Sequence, residues 1–501
     1  MIFRDWLKEL DYTLLQGSVD VETEDVIYDS RKAAPGKVFV AMKGIRVDGH
    51  SFIPQVLKAG VRVLVTERPV EEELKNSGLS EDELKQVTVV MVEEGRHALA
   101  LLSAARFDHP AKKLVMIGVT GTKGKTTTTH MIRAILLAAG KKVGMIGTTG
   151  TVIGDVVTPT LNTTPESYEL HQAFAQMVEA GCEYAVMEVS SQGIKMHRTD
   201  GLYFNYAIFT NISPDHIGPG EHADFEEYLY YKTRLLNMCG IGLVNKDDEH
   251  APQIIKAANC ELYTYSEESK EADFVASDIR YVSQPDFVGT EFHISGKYDM
   301  EVRLGIPGLF NVVNALAAVS VCSFLGLDQA RISHALENIR VNGRMEIVYT
   351  SERCTVLVDY AHNAVSMESL LKTLRDYSPK RLVCVFGCGG NRSKDRRYSM
   401  GEIGGKMADL SIITADNSRY EKVEDIIADI RGSIEKTGGK FIEIPDRREA
   451  IRYSILHAQP GDMVAVIGKG HEDYQEINGV RHHFLDREVI EETVKELGEK
   501  A

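Results

Sequence analysis

The sequence predicts an α/β protein of three domains: a small N-terminal α/β domain, a central mononucleotide-binding domain with a mostly parallel sheet, and a C-terminal Rossmann-like domain. Three observations predict it. Long apolar runs such as LVMIGVT and YAVMEVS alternate with helical stretches, the pattern of strands covered by helices on both faces. The same alternation restarts after about residue 340 with TVLVDYA. A glycine loop stands between an apolar strand and a helix at 118–127, the context of a phosphate-binding loop.

Taken in order, the chain opens on MIFRDWLKEL, a short amphipathic helix too charged for a secretory leader. The runs VFVAM, VRVLVTE and VTVVMVE then alternate with short helical stretches such as FIPQVLKAG, giving a first domain over 1–110. Pro110 marks its end, since a proline disfavours helix in the residue before it. In the second domain, 111–340, the strands are LVMIGVT, KVGMIGTT, YAVMEVS, YAIFTNI and IGLVNKD, with helices over 125–140 and 224–240. Residues 270–305 alternate with period two, as antiparallel strands do, and 308–325 is an alanine-rich helix. The third domain, 341–501, has strands TVLVDYA, RLVCVFG, LSIITAD and MVAVIGK and helices over 367–377, 399–408 and 423–436. It lacks a G-x-G-x-x-G fingerprint.

At 501 residues the chain is long enough for several domains that each bury a core. Its net charge of −16 argues against nucleic acid and anionic membranes as partners. An anionic substrate would need local basic groups, and RSKDRR (392–397), Lys123 and Lys125 supply them. The seven cysteines contain no CxxC pair, and Cys384 and Cys388 read as buried thiols. No run approaches the ~18 apolar residues of a membrane span. A cytoplasmic protein is expected.

Gly121, Gly124, Lys125 and Thr126 form the centre of the phosphate loop. Glycines let backbone N–H groups curl round phosphate oxygens, Lys125 offers a point charge to the β/γ-phosphates, and the Thr126 hydroxyl is placed to ligate Mg²⁺. Val119 occupies the place where the strict template has its first glycine. ATP or a relative is the predicted ligand.

Ligands of doubly wound sheets bind beyond the C-terminal strand ends, and the polar residues collect there. Glu188 ends AVMEV and precedes Ser190 and Ser191, while Asn211, Asp215 and His216 follow AIFTN. Glu188, His216 and Thr126 are therefore expected to converge on one Mg²⁺. Singly, Glu188 reads equally as a loop cap and His216 as a surface histidine. Lys232, in YLYYKTRLL, reads by spacing alone as a solvated or snorkelling helix lysine. In the third domain, Asp359, Arg392, DNSR (416–419) and GKGHE (468–472) take the corresponding strand ends. Two arginines with Asn and Glu suit a zwitterion, guanidinium to carboxylate and Glu to ammonium; helix caps and loop ion pairs are the alternative.

These residues together resemble the Mur ligase family. Its signatures stand as DSRKAAPGKVFVAMKGIRVDG (29–49), GVTGTKGKTT (118–127), NTTP (162–165), MEVSS (187–191) and TNISPDH (210–216). They continue as GLFNVVNALAA (308–318), NGRME (342–346), VDYAHN (358–363), FGCGGNR (386–392), DNSR (416–419) and GKGHEDYQ (468–475). They run in order over essentially the whole chain, and are most similar to members that add the third amino acid to UDP-MurNAc-dipeptide. The resemblance implies that Ser30, Ile45, Arg46 and Val47 hold the uridine nucleotide in the first domain. Asn162, Thr163, Thr164, Ser190 and Arg198 would hold the rest of the UDP-sugar-peptide. ATP would be bound by Gly121, Thr122, Lys123, Gly124, Lys125, Thr126 and Thr127, with Asn311, Arg344 and Asp359.

Thr126, Glu188 and His216 match the family's metal positions, and Lys232 aligns with a lysine carbamylated to N6-carboxylysine, an anion able to hold a second Mg²⁺. Lys125, Lys232 and His216 are the implied catalytic residues. Arg392, Asp416, Asn417, Ser418, Arg419, Gly468 and Glu472 match positions that receive the incoming amino acid. The implied reaction is ATP-dependent amide ligation through an acyl phosphate, with domain closure to exclude water.

Diaminopimelate-adding members share a D-N-P-R loop, whose Arg binds the distal carboxylate. Here Ser418 replaces the proline, a change expected to loosen the loop, while Asn417 and Arg419 remain. meso-Diaminopimelate is favoured over L-lysine, whose ammonium an unpaired Arg would repel. Gly218, Pro219 and Gly220 stand where the family usually has Asp-Tyr-His, Met196 where Gln is frequent and Gln192 where His is frequent. A divergent paralogue, a folylpolyglutamate-type ligase and a non-catalytic nucleotide-binding subunit are the rivals. A monomer is expected, with no nucleic-acid partner.

Overall fold

The computed structural model describes residues 1–44 and 47–498. By compactness the chain forms two units, 1–265 and 266–501.

In the first unit, β1 (Thr13–Gln16), β2 (Asp25–Ile27), β3 (Lys37–Val40), β4 (Val63–Thr66) and β5 (Thr88–Met91) form a sheet in the order β1-β5-β4-β3-β2, parallel except for β1. Successive strand residues feed two different cores. Val38, Val40, Val63 and Val65 join Phe3, Trp6 and the helix Gly95–Arg106, whereas Phe39 and Leu64 join Ile53, Val56 and Leu57. Burial on both faces explains the near-continuous apolar runs.

The larger sheet of this unit carries β6 (Val115–Thr120), β7 (Val143–Gly147), β8 (Gly150–Ile153), β9 (Val156–Thr158), β10 (Tyr184–Glu188), β11 (Phe204–Phe209), β12 (Cys239–Asn245) and β13 (Glu261–Ser266). Their order is β13-β12-β11-β6-β10-β7-β8-β9, parallel from β13 to β7, with β8 and β9 returning antiparallel. β6 lies between β10 and β11, so the chain winds away from it in both directions and opens a crevice at its C-terminal end. The pairings Glu188↔Val119 and Phe209↔Thr120 bring all three strand ends level there.

In the second unit, β14 (Phe274–Gln284), β15 (Phe287–Gly296) and β16 (Met300–Leu304) form the antiparallel meander that the period-two pattern expects. Beyond the buried helix Leu309–Phe324 come β17 (Glu346–Thr350), β18 (Cys354–Asp359), β19 (Arg381–Phe386), β20 (Leu410–Ile413), β21 (Phe441–Glu443) and β22 (Asp462–Ile467). Their order is β17-β18-β22-β19-β20-β21, parallel except for β17. A hairpin of β23 (Tyr474–Ile477) and β24 (Val480–His483) follows.

The helix expected over 224–240 ends at Thr233 and finishes as a 3-10 turn, Arg234–Asn237, because β12 starts at Cys239. Two others start earlier than expected, at Ala364 and Lys394, where Asn363 and Ser393 cap them. The helices Gln329–Glu337, Arg447–Leu456 and Asp486–Glu496 add to those the sequence predicts; their charged faces mask short apolar stripes. All seven cysteines are free thiols, and burial pushes Cys384 and Cys388 up. Among the described residues no helix is long and apolar enough to cross a membrane.

Candidate active site

The phosphate loop is shaped by sterics before any ligand arrives. Gly121 has φ +144°, and a Cβ there would lie 1.9 Å from the Thr210 hydroxyl; Gly124 is left-handed at φ +85°. The loop is strapped to the end of β11: Thr122 N donates to Asn211 O (2.9 Å), Lys123 N to Asn211 Oδ1 (2.9 Å), and the Thr210 hydroxyl to Lys123 O (2.6 Å). The helix Lys125–Ala138 starts directly from it, aiming its N-terminal N–H groups and dipole at the loop. Lys125 Nζ folds back onto Gly121 O (2.8 Å) and Thr122 O (3.1 Å). Thr127 is buried in the first helical turn.

Glu188 is buried at the end of β10, and its carboxylate accepts from the Thr126 hydroxyl (3.0 Å to each oxygen), Thr148 N (2.9 Å) and the Thr148 hydroxyl (3.2 Å). It does not cap the next loop; Ser190 does, accepting from Gly193 N at 3.0 Å. The expected three-way convergence is thus formed by two residues. His216 is exposed and left-handed (φ +53°), its Nδ1 3.1 Å from Glu221 and its Nε2 3.9 Å from Asp215.

Lys232 departs furthest from the solvated lysine that spacing suggested. The helix Phe225–Thr233 turns Tyr228 and Lys232, four residues apart, onto the phosphate loop. Lys232 is 2% exposed, donates to Gly121 O at 2.7 Å and stands 4.7 Å from the Tyr228 ring centre. Tyr228 itself reaches the Thr122 hydroxyl at 3.0 Å. Burial, then the nearby Lys125 charge, hold the Lys232 amine well below the usual lysine range.

A cavity of about 700 Å³ opens in the first unit, lined by Arg96, Glu166, Gln192, Met196, Arg198 and Pro219 among others. Arg198 donates to Glu166 (2.9 Å) and Thr164 O (3.0 Å), while Arg96 reaches Glu166 at 3.5 Å. Thr164 is fully buried, its hydroxyl donating to Glu188 O (3.0 Å) and accepting from Ser190 N (2.9 Å), so it aligns Ser190 from within. Thr163 meets the Thr148 hydroxyl at 3.0 Å, and Asn162 is exposed. Ser30 opens a 3-10 turn capped by Asp29, and Val47 is exposed. Ile45 and Arg46 lie outside the described residues.

In the second unit, Asp359 at the end of β18 accepts from Met345 N (2.8 Å) and Ala361 N (2.7 Å), fixing the turn that carries Arg344. Burial raises the Asp359 carboxyl against those donors and the Arg344 charge. Arg344 lies 4.9 Å over the Tyr360 ring. Asn311 is buried at the start of its helix, bonded to Pro307 O (2.7 Å) and Asn314 (3.1 Å), so its amide acts inside the protein.

Asn417 donates to Glu472 (2.9 Å) and accepts from the buried Lys469 (3.2 Å) and Glu476 N (2.8 Å); Lys469 also reaches Glu472 at 3.2 Å. Arg419 is left-handed (φ +51°) and donates through Nη1 to Gly390 O at 2.8 Å. Contacts brace the loop at Ser418, where the missing proline was expected to loosen it. Ser418 is buried, and the β23–β24 hairpin grips the loop through Gln475 to Asp416 O (3.1 Å), Arg419 N to Glu476 O (3.0 Å) and Asn478 N to Arg419 O (2.6 Å). At Gly468 (φ +113°) a Cβ would lie 2.7 Å from the Asp416 carboxylate, so the two loops touch. Arg392 is exposed at the rim.

Three family models cover the chain: the Mur ligase family catalytic domain over 23–107, the Mur ligase middle domain over 119–322 and the Mur ligase glutamate ligase domain over 343–470. A UDP-N-acetylmuramoyl-L-alanyl-D-glutamate--2,6-diaminopimelate ligase from Caldanaerobacter subterraneus is 39% identical across 98% of both chains, and one from Clostridium perfringens is 37% identical across 98% of this chain and 99% of its own. The chain belongs to the Mur ligase family. A solved structure of a ligase with the same name superposes with a TM-score of 0.72 at 30% identity, covering 95% of this chain and 96% of its own.

A Mur ligase is an ATP-dependent amide-forming enzyme, and the first-unit residues fit the ions that the family implies. Thr126 and Glu188 are hard oxygen donors held side by side, as Mg²⁺ requires. A carbamate on Lys232 would replace the cation crowding Lys125 with an anion. Sequence reading missed Thr148, Tyr228 and Lys469. Lys469 had a legible signal, a lysine between two glycines at a strand exit; Thr148 and Tyr228 had none.

Proposed function

We propose that this Mur ligase joins meso-diaminopimelate to UDP-MurNAc-L-Ala-D-Glu with ATP, in the cytoplasm and as a monomer. The functional division would be 1–110 for the UDP-sugar, 111–340 for ATP and 341–501 for the amino acid. The observation that carries the amino-acid choice is the braced DNSR loop. It holds Arg419, whose Nη1 bonds Gly390 O and whose Nε lies 3.5 Å from Glu476, on the same loop as Asn417, which bonds Glu472. A substrate carboxylate would compete with Glu476 for the guanidinium and an ammonium with Lys469 for Glu472. The names of the relatives agree with this reading. L-Lysine would bring an ammonium toward Arg419, with Glu476 the one carboxylate paired to that guanidinium among the described residues.

In the reaction, the substrate carboxylate attacks the γ-phosphorus and the bond to ADP breaks, giving an acyl phosphate. The neutral amine of diaminopimelate then adds to that carbonyl, loses a proton, and inorganic phosphate leaves. The loop amides and Lys125 hold the phosphates in line, since positioning and charge stabilisation carry most of phosphoryl transfer. Arg198, with Arg96 beside it, supplies cationic groups for the anionic sugar-peptide. Mg²⁺, held by Thr126 and Glu188 with a second ion at carbamylated Lys232, would neutralise developing charge. His216, its ring 6.2 Å from that of Tyr228, is the further metal ligand that the family resemblance implies.

The test is phosphate release from Mg·ATP and UDP-MurNAc-L-Ala-D-Glu with meso-diaminopimelate, L-lysine or no amino acid. Release with diaminopimelate alone is expected. Release with lysine alone would overturn the role of Arg419, and silence with both would favour a divergent substrate.

A further inference from the structure

A fully buried ion pair lies beneath the amino-acid loops. Arg447 donates through Nε and Nη2 to the two oxygens of Asp486, both at 2.7 Å, and both side chains are shielded from solvent. The guanidinium directs its other contacts at main-chain carbonyls: Nη1 at Ala415 O (3.2 Å) and Nη2 at Ile467 O (3.0 Å). These carbonyls belong to the residues immediately before Asp416 and Gly468.

Topology makes that contact unusual. β20 and β22 are not neighbours, because β19 runs between them, so no ladder hydrogen bond sets the spacing of their two exits. Arg447 bridges the gap from below, starting the helix Arg447–Leu456. A buried ion pair is a poor device for stability alone, since desolvating two charges costs several kcal/mol. Burial disfavours the Arg447 charge, but Asp486 first, and then Asp416 and Glu472, keep it ionised. The last two are groups of the loops themselves.

We propose that Arg447, oriented by Asp486, is a positioning residue for the amino-acid substrate: it clamps the ends of two non-adjacent strands and so, beneath the direct Asn417–Glu472 and Lys469 contacts, sets the spacing between the Asp416–Arg419 loop and Glu472. This rests on the reading that these loops receive the amino acid. A bidentate guanidinium suits the task, as one planar group serves a carboxylate and two carbonyls at once.

The test replaces the pair by apolar residues of similar volume, Arg447→Met with Asp486→Leu, an exchange that commonly leaves stability unchanged or improved. Arg447→Lys, which keeps the charge opposite Asp486 but loses the fork, is the second variant. The expected result in either is a KM for meso-diaminopimelate raised about tenfold or more, with KM for ATP and for the UDP-substrate within about twofold, because misplacement costs affinity where geometry is read. An unchanged diaminopimelate KM would overturn the proposal. So would a parallel rise in all three KM values with a falling melting temperature, or loss of fold in both variants, which would mark the pair as structural. Arg419→Ala separates this from the parent reading. If it leaves diaminopimelate KM unchanged, the amino-acid site itself is wrong; if it raises KM while the Arg447 variants do not, the clamp alone fails.

Discussion

Lys232 shows how much a single position can depend on what surrounds it. On an isolated amphipathic helix it would be a solvated cation, but here it is buried against the Gly121 carbonyl with Lys125 close by. Burial and the Lys125 charge lower the cost of deprotonating that amine, the form that reacts with CO₂, and a carbamate there would be an anion beside a cation. Lys232→Ala is expected to lower kcat on the order of 10²-fold or more, the scale on which removal of one charge-stabilising group acts. ¹³C-Bicarbonate should give a carbamate carbonyl resonance in the wild type that this variant lacks. Normal turnover in the variant, or no resonance in the wild type, would sink the assignment. Glu188 makes a complementary case. Its carboxylate is fixed by Thr126 and Thr148, so Glu188→Gln keeps the volume and removes the charge that would hold Mg²⁺. Its Mg²⁺ activation curve at fixed ATP should move to higher concentration; superimposable curves would place the metal elsewhere.

Among elements, the loops depend on the strands that end beneath them. The apolar runs made those strand ends legible, so the phosphate loop, Glu188, DNSR and GKGHE could be placed on sheet edges without coordinates. The brace of the DNSR loop was not legible, because it comes from a hairpin distant in sequence whose charged residues obscure its alternation. Asn478-Gly479, a strong two-residue hairpin signal, was present between β23 and β24 and could have revealed it. The burial of Thr164 and Asn311 was not legible for another reason. Motif matching gives a position but not a direction, and both side chains point inward. The close approach of the two amino-acid loops yields a prediction at Gly468, where φ is +113° and a Cβ would meet Asp416 at 2.7 Å. Gly468→Ala should raise the amino-acid KM and destabilise the protein by roughly 1–3 kcal/mol, the usual cost of a strained backbone position. A variant with wild-type KM and melting temperature would show that the loops can part freely.

At the scale of the molecule, alternating strands and helices made the α/β architecture legible throughout, whereas compactness divides the chain at 265/266 rather than at the motif boundaries. Sequence signals mark where a strand or a phosphate loop begins, but the cohesion of neighbouring segments arises from contacts such as Tyr28 with Glu169 and Tyr168 with Asp25, which join the small sheet to a helix of the larger one. Those side chains carry no local signature. The first unit therefore holds both the residues proposed for the UDP-sugar and the phosphate loop, and the second holds the loops proposed for the amino acid, each with buried cores of its own. Calorimetry should show two unfolding transitions. Mg·ADP at about a hundred times its Kd would stabilise the unit that binds it by about 2.7 kcal/mol, or roughly 5–10 °C for a unit of this size. The shift should fall on the transition of residues 1–265, identified by limited proteolysis, and should vanish in Lys125→Ala. A single transition that moves as a whole would mean that the two units unfold together, and a shift confined to the other transition would remove the phosphate loop from its assigned role.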